Sequence, residues 1–575
     1  MTLDFSIMAG GEAGQGVQSV GMILAKAMAH GGLCVFADQD YENRVRGGHN
    51  FFRVRSSDKE VLALSEKLDI LVALNKETID LHHNELKSNG VIIFDQEQTK
   101  VKAQGEIYFN VPLARLAEDT VKNKLMTNTV AVGAAVGLAG YDFDILASVL
   151  REEFARHGEK IAEDNVVAAR AGFDFAHEHG EQKLSQKIKP ISGSNRRMLL
   201  HGNEALSLGA MVGGCKFIAG YPMTPASPIL EYLADKSQSY NVVAVHVEDE
   251  IAAMNMSIGA AYAGVRAMVA TSGGGFCLMV EGLALAGITE TPMVVVLGQR
   301  PGPATGMPTR TEQGELWFAL QAGHGEFPRA ILAPATAEEA FHAIIKAFNL
   351  AEKYQTPVIV LTDHHLATSY TTVDRFDLGQ VKIERGALLS DEELNRLADY
   401  KRHQVTESGV SPRALPGQGK ALVVTDSDEH DEAGHMIEDG ETRNQQNLKR
   451  LHKYEGLKAE ISSPKFHQMP NAEFTLIGWG STYGAIREAA DLLQKDGVMA
   501  NILHISEIWP FPAEKVAPVL KNGAKSIVIE NNATAQMAQL IRRETGYKVN
   551  GPILKSDGRP FSPQEIVDGV KKEVS

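Results

Sequence analysis

Cysteine is scarce in this 575-residue chain: only Cys34, Cys215 and Cys277 occur. They lie far apart and match no disulfide framework and no zinc or iron–sulfur spacing, so any cluster chemistry must come from another chain. Positive charge is also short. With 57 Lys and Arg against 72 Asp and Glu, the formal net charge is −15, which argues against nucleic acid as a main partner. No apolar run is long enough to span a bilayer. The start, LDFSIMAG, runs directly into glycines without a basic region and a cleavable apolar core, so no membrane association and a cytoplasmic location are the expectations. No Gly-Lys-Ser/Thr follows any glycine loop, which excludes a nucleotide P-loop. No Gly-Asp-Gly with a downstream Asn is present either.

What is present suits a globular α/β chain of several domains, with 44% hydrophobic and 22% charged residues. Phe5 to Ala9 reads as a buried strand, running into GGEAGQGVQSVG (Gly10 to Gly21) and an alanine-rich helix. Gly14 and Gly16 fit a dinucleotide fingerprint, but Ser19 stands at its third glycine. Asp38 or Asp40 would be the ribose acid of such a site, and tight packing of helix on strand explains the glycines equally well. YENRVRGGHN (Tyr41 to Asn50) offers two arginines for an anion or a subunit contact. Strands and helices alternate through about Phe175, which predicts a parallel α/β domain. Asn128 to Gly140 is a small-residue helix suited to close packing.

Val245 to Gly275, VHVEDEIAAMNMSIGAAYAGVRAMVATSGGG, organises the middle of the chain. It reads as strand, helix, strand and glycine loop, with Glu248 and Glu250 at the helix start, where unpaired N–H groups favour a carboxylate. A strand ending in glycines is where open α/β sheets bind ligands. Before it, GYPMTPASPILEYLA holds Thr224 in a proline-stiffened turn at a strand end. After it, Met293 to Leu297 delivers GQRPGPATGMPTRTEQGEL, whose prolines and glycines rule out helix or central strand and which presents Arg300, Thr305, Thr309 and Arg310. An arginine fork suits a carboxylate.

Phe376 to Pro470 is charged and poor in strand signals. His430, Asp431, Glu432 and His435 are spaced irregularly in an acidic run, so a solvated connector is expected there rather than a metal site, and the whole stretch reads as a long excursion packed against other domains or a partner. Phe474 opens a last α/β region whose strand ends carry WGSTYG and ENNATAQ. A phosphate or amide ligand at Asn531 and Asn532, or plain helix capping, would account for the latter.

Glu250, with Ala252 and Ala253 after it and Gly259 nine positions on, resembles the pyrimidine-side domain of thiamine diphosphate enzymes. YPMTP, EDEIAA, TSGGG and GQRPGPATGMPTRTEQ together resemble the α subunit of 2-oxoacid:ferredoxin oxidoreductases. GQGV with the later RGG resembles that family's γ domain, fused ahead of α, and SPRALPG (Ser411 to Gly417) its connector. The resemblance covers nearly the whole chain. It implies a γ domain at 1–180, a linker at 181–195, a pyrimidine-binding domain at 196–375, a connector at 376–470 and a transketolase C-terminal-like domain at 471–575. It implies that Glu250 contacts the cofactor pyrimidine and acts in catalysis. Ser272, Gly273 and Gly274 would line the cofactor, and Thr224, Arg300 and Thr309 would meet the substrate. The implied reaction is reversible, coenzyme A-dependent oxidative decarboxylation of a 2-oxoacid with reduction of ferredoxin. Mg2+ and a [4Fe-4S] cluster are expected in a β subunit, in an α2β2 assembly, with no metal held by this chain. The fused γα layout favours 2-oxoglutarate, with pyruvate or branched-chain 2-oxoacids behind it. A dinucleotide-dependent oxidoreductase and a non-catalytic scaffold subunit are the rival readings.

Overall fold

A computed structural model describes residues 3–43, 47–102, 105–180, 182–191, 197–521 and 523–574. The strands are numbered β1 to β20 in chain order. The chain divides into two units, Met1–Leu200 with Thr368–Arg375, and His201–Ala367 with Phe376–Ser575.

The first unit holds β1 (Asp4–Ala13), β2 (Cys34–Asp40), β3 (Gly47–Ser57), β4 (Leu68–Ala73), β5 (Leu86–Phe94), β6 (Tyr108–Asn110), β7 (Met198–His201) and β14 (Tyr370–Val373). They form one sheet in the order β6-β5-β4-β1-β3-β2-β14-β7. β1, β4, β5 and β6 run parallel, as expected. The other half differs from the expected parallel sheet: β3 lies antiparallel to both β1 and β2, and β14 antiparallel to β2. The reason is connectivity. Among the described residues no helix separates β2 from β3, and a short connection joins only antiparallel neighbours. The expected boundary at 375 is crossed as well, because Tyr370 and Thr371 pair with Ala37 and Phe36 of the first unit.

Small residues do the packing that the sequence implied. A Cβ on Gly133, in the helix Thr127–Leu138, would come within 1.9 Å of the Ala169 carbonyl in the helix Glu159–Gly180. On Gly21 it would strike the Phe52 ring at 2.2 Å. β1 continues through Ala13, so Gly10 and Gly11 are strand rather than loop, and only Gly14 and Gly16 take positive φ. Asp38 is engaged by the Ser369 hydroxyl at 3.2 Å. Arg44 and Arg46, the paired arginines of the sequence analysis, and most of the second half of the expected linker lie outside the described residues.

The second unit has two sheets. One contains β8 (Cys215–Gly220), β9 (Val243–His246), β10 (Arg266–Thr271), β11 (Met293–Gln299), β12 (Ala330–Leu332), β13 (Pro357–Asp363) and β18 (Glu507–Trp509), ordered β18-β12-β13-β11-β10-β8-β9. Its strands are parallel except β18, which pairs antiparallel with β12. The other contains β15 (Lys465–His467), β16 (Phe474–Trp479), β17 (Ala500–Ile505), β19 (Lys525–Glu530) and β20 (Gly551–Leu554), ordered β15-β17-β16-β19-β20. β10 and β11 are buried along their length, which is why they read as unbroken apolar runs. A single hydrophobic core joins the two sheets: Val295, Leu316 and Ile331 share it with Trp479, Ile505 and Ile541.

The connector packs against the rest of the second unit, as a long excursion would, and only part of its charged run is solvated. Its helix Gly440–Glu460 buries Gln446, Lys449, Arg450 and Lys453. Glu290, fully buried, accepts from Lys449 Nζ at 2.6 Å and from His403 Nδ1 at 2.9 Å, and pairs with Lys453. His430 is also fully buried, with its ring 4.0 Å from that of His403. Glu290, His403 and His430 could geometrically hold an ion, but two lysine ammonium groups already supply the charge a cation would bring. A charged helix was buried here because a buried carboxylate needs counter-charges. His435 stays exposed beside Asp431, as expected of a solvated run.

Candidate active site

The carboxyl end of β10 and the helix after it form the corner that carries Ser272, the three glycines and the Glu250 side chain. Ser272 is the N-cap of the helix Gly273–Ile288, so the three glycines are its first turn and not a loop. Ser272 Oγ makes no capping bond and is buried without a hydrogen-bond partner, which leaves first-turn N–H groups for a ligand. Gly274 is exposed, and a Cβ there would find nothing closer than Met223 Sδ at 3.9 Å.

Glu250 is the first residue of the helix Glu250–Tyr262, capped by the Asp249 side chain on the Ala252 N–H at 2.8 Å. Its side chain is buried, and Oε1 has no hydrogen-bond partner. It lies against Gly275, where a Cβ would meet Glu250 Oε1 at 2.6 Å and Thr271 Oγ1 at 2.1 Å. Gly275 is glycine because the acid occupies the space a side chain would take. An unpaired buried carboxyl oxygen costs free energy, which makes Glu250 Oε1 a candidate ligand contact.

Thr224 follows the end of β8, in a turn whose Pro225 carbonyl accepts from Asn203 Nδ2 at 2.7 Å. Arg300 leaves β11 and gives its Nη1–H to the Thr224 carbonyl at 2.7 Å. The structure thus brings Arg300 and Thr224 together, and brings Glu250 to the glycine turn. Thr309 is not joined to them: among the described residues its side chain makes no hydrogen bond to either group, and its carbonyl accepts from Arg310 Nη1 at 3.0 Å. Arg310 packs on Gly558.

Two residues escaped sequence reasoning. Glu315, at the end of the Arg300 loop, overlies Gly273, and its Oε2 is buried without a partner. Only its place in the loop, opposite Arg300, signals it. Gln313 is fully buried and stitches the loop to the second sheet, donating to the Trp479 carbonyl at 2.8 Å and accepting from the Asn531 N–H at 3.1 Å. Asn532 donates to the Gln313 carbonyl at 3.1 Å and caps Ala535 N–H at 2.8 Å. The amide partner expected at Asn531 and Asn532 is therefore the chain's own Gln313.

A strand-end corner with an orphan buried acid and a glycine helix start is where an α/β enzyme holds a ligand or cofactor. Comparison with known proteins agrees. The family described as pyruvate flavodoxin/ferredoxin oxidoreductase, thiamine diphosphate-binding, matches residues 208–449. Pyruvate ferredoxin/flavodoxin oxidoreductase matches 6–175, and pyruvate:ferredoxin oxidoreductase core domain II matches 472–566. The α subunit of a 2-oxoacid:ferredoxin oxidoreductase from Sulfolobus is 34% identical, over 98% of this chain and 96% of that one. The 2-oxoglutarate oxidoreductase subunit KorA of Mycobacterium tuberculosis is 30% identical, over 97% and 89%. A solved 2-oxoglutarate:ferredoxin oxidoreductase from Magnetococcus marinus superposes with a TM-score of 0.92 at 31% identity, covering all of both chains. The chain belongs to the α-subunit family of 2-oxoacid:ferredoxin oxidoreductases, enzymes of ferredoxin-linked oxidative decarboxylation. The dinucleotide-dependent and scaffold readings fall with that assignment.

Proposed function

We propose that this chain supplies the pyrimidine-side half of a thiamine diphosphate site, and that Glu250 is the carboxyl group that hydrogen-bonds the cofactor's ring nitrogen. The observation that carries the proposal is the buried, unpartnered Glu250 Oε1 against Gly275, beside the uncapped Ser272 helix start. Ser272, Gly273 and Gly274 would let the cofactor approach the helix closely. When bound, thiamine diphosphate supplies the carbanion chemistry of decarboxylation. The chain's own tasks are to hold a proton at Glu250 and to orient the substrate.

Arg300 is assigned to the carboxylate common to 2-oxoacids. Its Thr224 contact aims the guanidinium, leaving the remaining N–H groups for the anion. Thr309 is proposed as a further substrate contact, reached from the same loop. The substrate proposed is 2-oxoglutarate, with coenzyme A as acyl acceptor. Relatives named for 2-oxoglutarate support this, as does the Magnetococcus marinus structure, which has 2-oxoglutarate, coenzyme A and succinyl-CoA bound.

The other half-site belongs to a β subunit, which would bring Mg2+, the diphosphate pocket and a [4Fe-4S] cluster and pass electrons to ferredoxin. Exposed apolar residues at this corner fit a covering subunit, in an α2β2 assembly: Tyr221, Ile251, Met256 and Leu278 on the flanking turn and helices. The proposed location is the cytoplasm; among the described residues no helix is long and apolar enough to cross a membrane. Co-expression with the β subunit tests the proposal. The complex should reduce ferredoxin with 2-oxoglutarate and coenzyme A, and this chain alone should bind neither iron nor thiamine diphosphate tightly. Iron or tight cofactor binding in the lone chain would overturn the division of labour.

A further inference from the structure

Arg300 has an acidic counterpart to which nothing above assigns a task. Glu315 closes the loop that Arg300 opens, and its backbone N–H bonds the side chain of Gln299, the residue before Arg300, at 3.0 Å. Its carboxyl group stands over the first turn of the helix Gly273–Ile288, so near that a Cβ on Gly273 would meet Oε1 at 1.4 Å. Two acids therefore crowd one helix start, Glu250 over Gly275 and Glu315 over Gly273.

An acid retained for stability is paired or hydrogen-bonded when buried. Among the described residues the Glu315 carboxyl has no hydrogen bond and no ion pair, and its Oε2 is buried. Three ionisable groups face it: Arg300 beyond β11, Glu312 in the same loop and the Cys277 thiol on the helix. Burial pushes Glu315 up to about 8, with Arg300 opposing the rise and Glu312 adding to it. Burial also raises Glu312 and Cys277 above their ordinary values.

We propose that Glu315 is a protonation gate on the Arg300 anion site, admitting the 2-oxoacid when neutral and competing with it for Arg300 when ionised. Binding above neutrality then draws one proton from solvent onto Glu315, and no other group need change charge. The inference rests on the assignment of the substrate carboxylate to Arg300. Glu315 acts through Arg300 and is a positioning residue, so the decisive readouts are a pH profile and a proton count.

The experiment uses the αβ complex. Between pH 7 and 9, kcat/KM for 2-oxoglutarate should fall about tenfold in the unaltered enzyme, the loss expected one unit above the titration point. In Glu315→Gln, which is always neutral, the fall should be less than twofold. Cys277→Ser should keep the full limb. Calorimetric titration of 2-oxoglutarate into the complex without thiamine diphosphate, at pH 8.5 in two buffers of different ionisation enthalpy, should show uptake of most of one proton. Glu315→Gln should show almost none. An unchanged alkaline limb in Glu315→Gln, or no proton uptake by the unaltered complex, overturns the gate. Arg300→Ala separates the two claims. If it binds 2-oxoglutarate normally, the Arg300 assignment fails and the gate with it. If it binds weakly while Glu315→Gln keeps the limb, only the gate fails.

Discussion

The tasks proposed for Glu250 and Arg300 are separable, and each can be tested by changing one functional group. Glu250→Gln keeps the shape and removes the acid. Activity of the αβ complex should drop by about a hundredfold or more, the usual size of a general acid–base contribution, with its thermal midpoint nearly unchanged. Near-normal turnover would end the Glu250 assignment. Arg300→Lys keeps the charge but loses both the fork and the geometry that now bonds the Thr224 carbonyl. It should cost at least ~1.4 kcal/mol, or about tenfold, in kcat/KM, equally for every 2-oxoacid in a kinetic panel. A loss confined to 2-oxoglutarate would instead place Arg300 at the distal carboxylate.

At the scale of elements, the first turn of the helix Gly273–Ile288 is open on one side, at Gly274. A methyl group on Gly274 meets nothing closer than 3.9 Å in the chain itself. Gly274→Ala should therefore leave thermal stability alone and weaken thiamine diphosphate binding by roughly tenfold or more, about 1.4 kcal/mol. Unchanged cofactor affinity by calorimetry would place the cofactor elsewhere. In the second sheet, β17 carries a different liability. His504 is fully buried and donates from Nε2 to the Gly480 carbonyl at 3.2 Å, and burial pushes its value down to about 4. The folded value lies below that of a free imidazole, about 6.5, so the unfolded chain takes up the proton first. Stability is then full above about pH 6.5 and is lost as pH falls toward 4, by about 3 kcal/mol in all. His504→Gln keeps a donor and cannot titrate, so the thermal midpoint of that variant should fall less steeply over the same range.

Across the whole molecule, the connector is held to the rest of the second unit by charge. Lys449 and Lys453 share the carboxylate of Glu290, which they and His403 hold well below the usual carboxylate range. Removing one partner from such a buried set leaves charge unbalanced, at a cost of about 3–5 kcal/mol. Lys449→Met should lower the thermal midpoint, and the double variant Lys449→Met/Glu290→Gln should recover part of the loss. A double variant no more stable than the single one would show that packing, not charge, is what matters there.

The strands, the close-packed glycine helices and the acid at a helix start were legible in the residues themselves. Apolar runs such as Met293 to Leu297 have one stable fate in a sheet covered on both faces, and a carboxylate beside unpaired N–H groups has one favourable place. Four separated motifs resembling one family made the family legible as well, and the full-length relatives bear that family out. Contacts between distant segments were not legible. That residues 370–373 pair with β2, that Gln313 answers Asn531 and that a basic connector helix encloses Glu290 depend on partners far away in the chain. Local propensity and periodicity carry no trace of such partners. Glu315 belongs with these: in sequence it is one acid among many in a polar loop, and only the fold, by half-burying it over Gly273 near Arg300, pushes its carboxyl up to about 8.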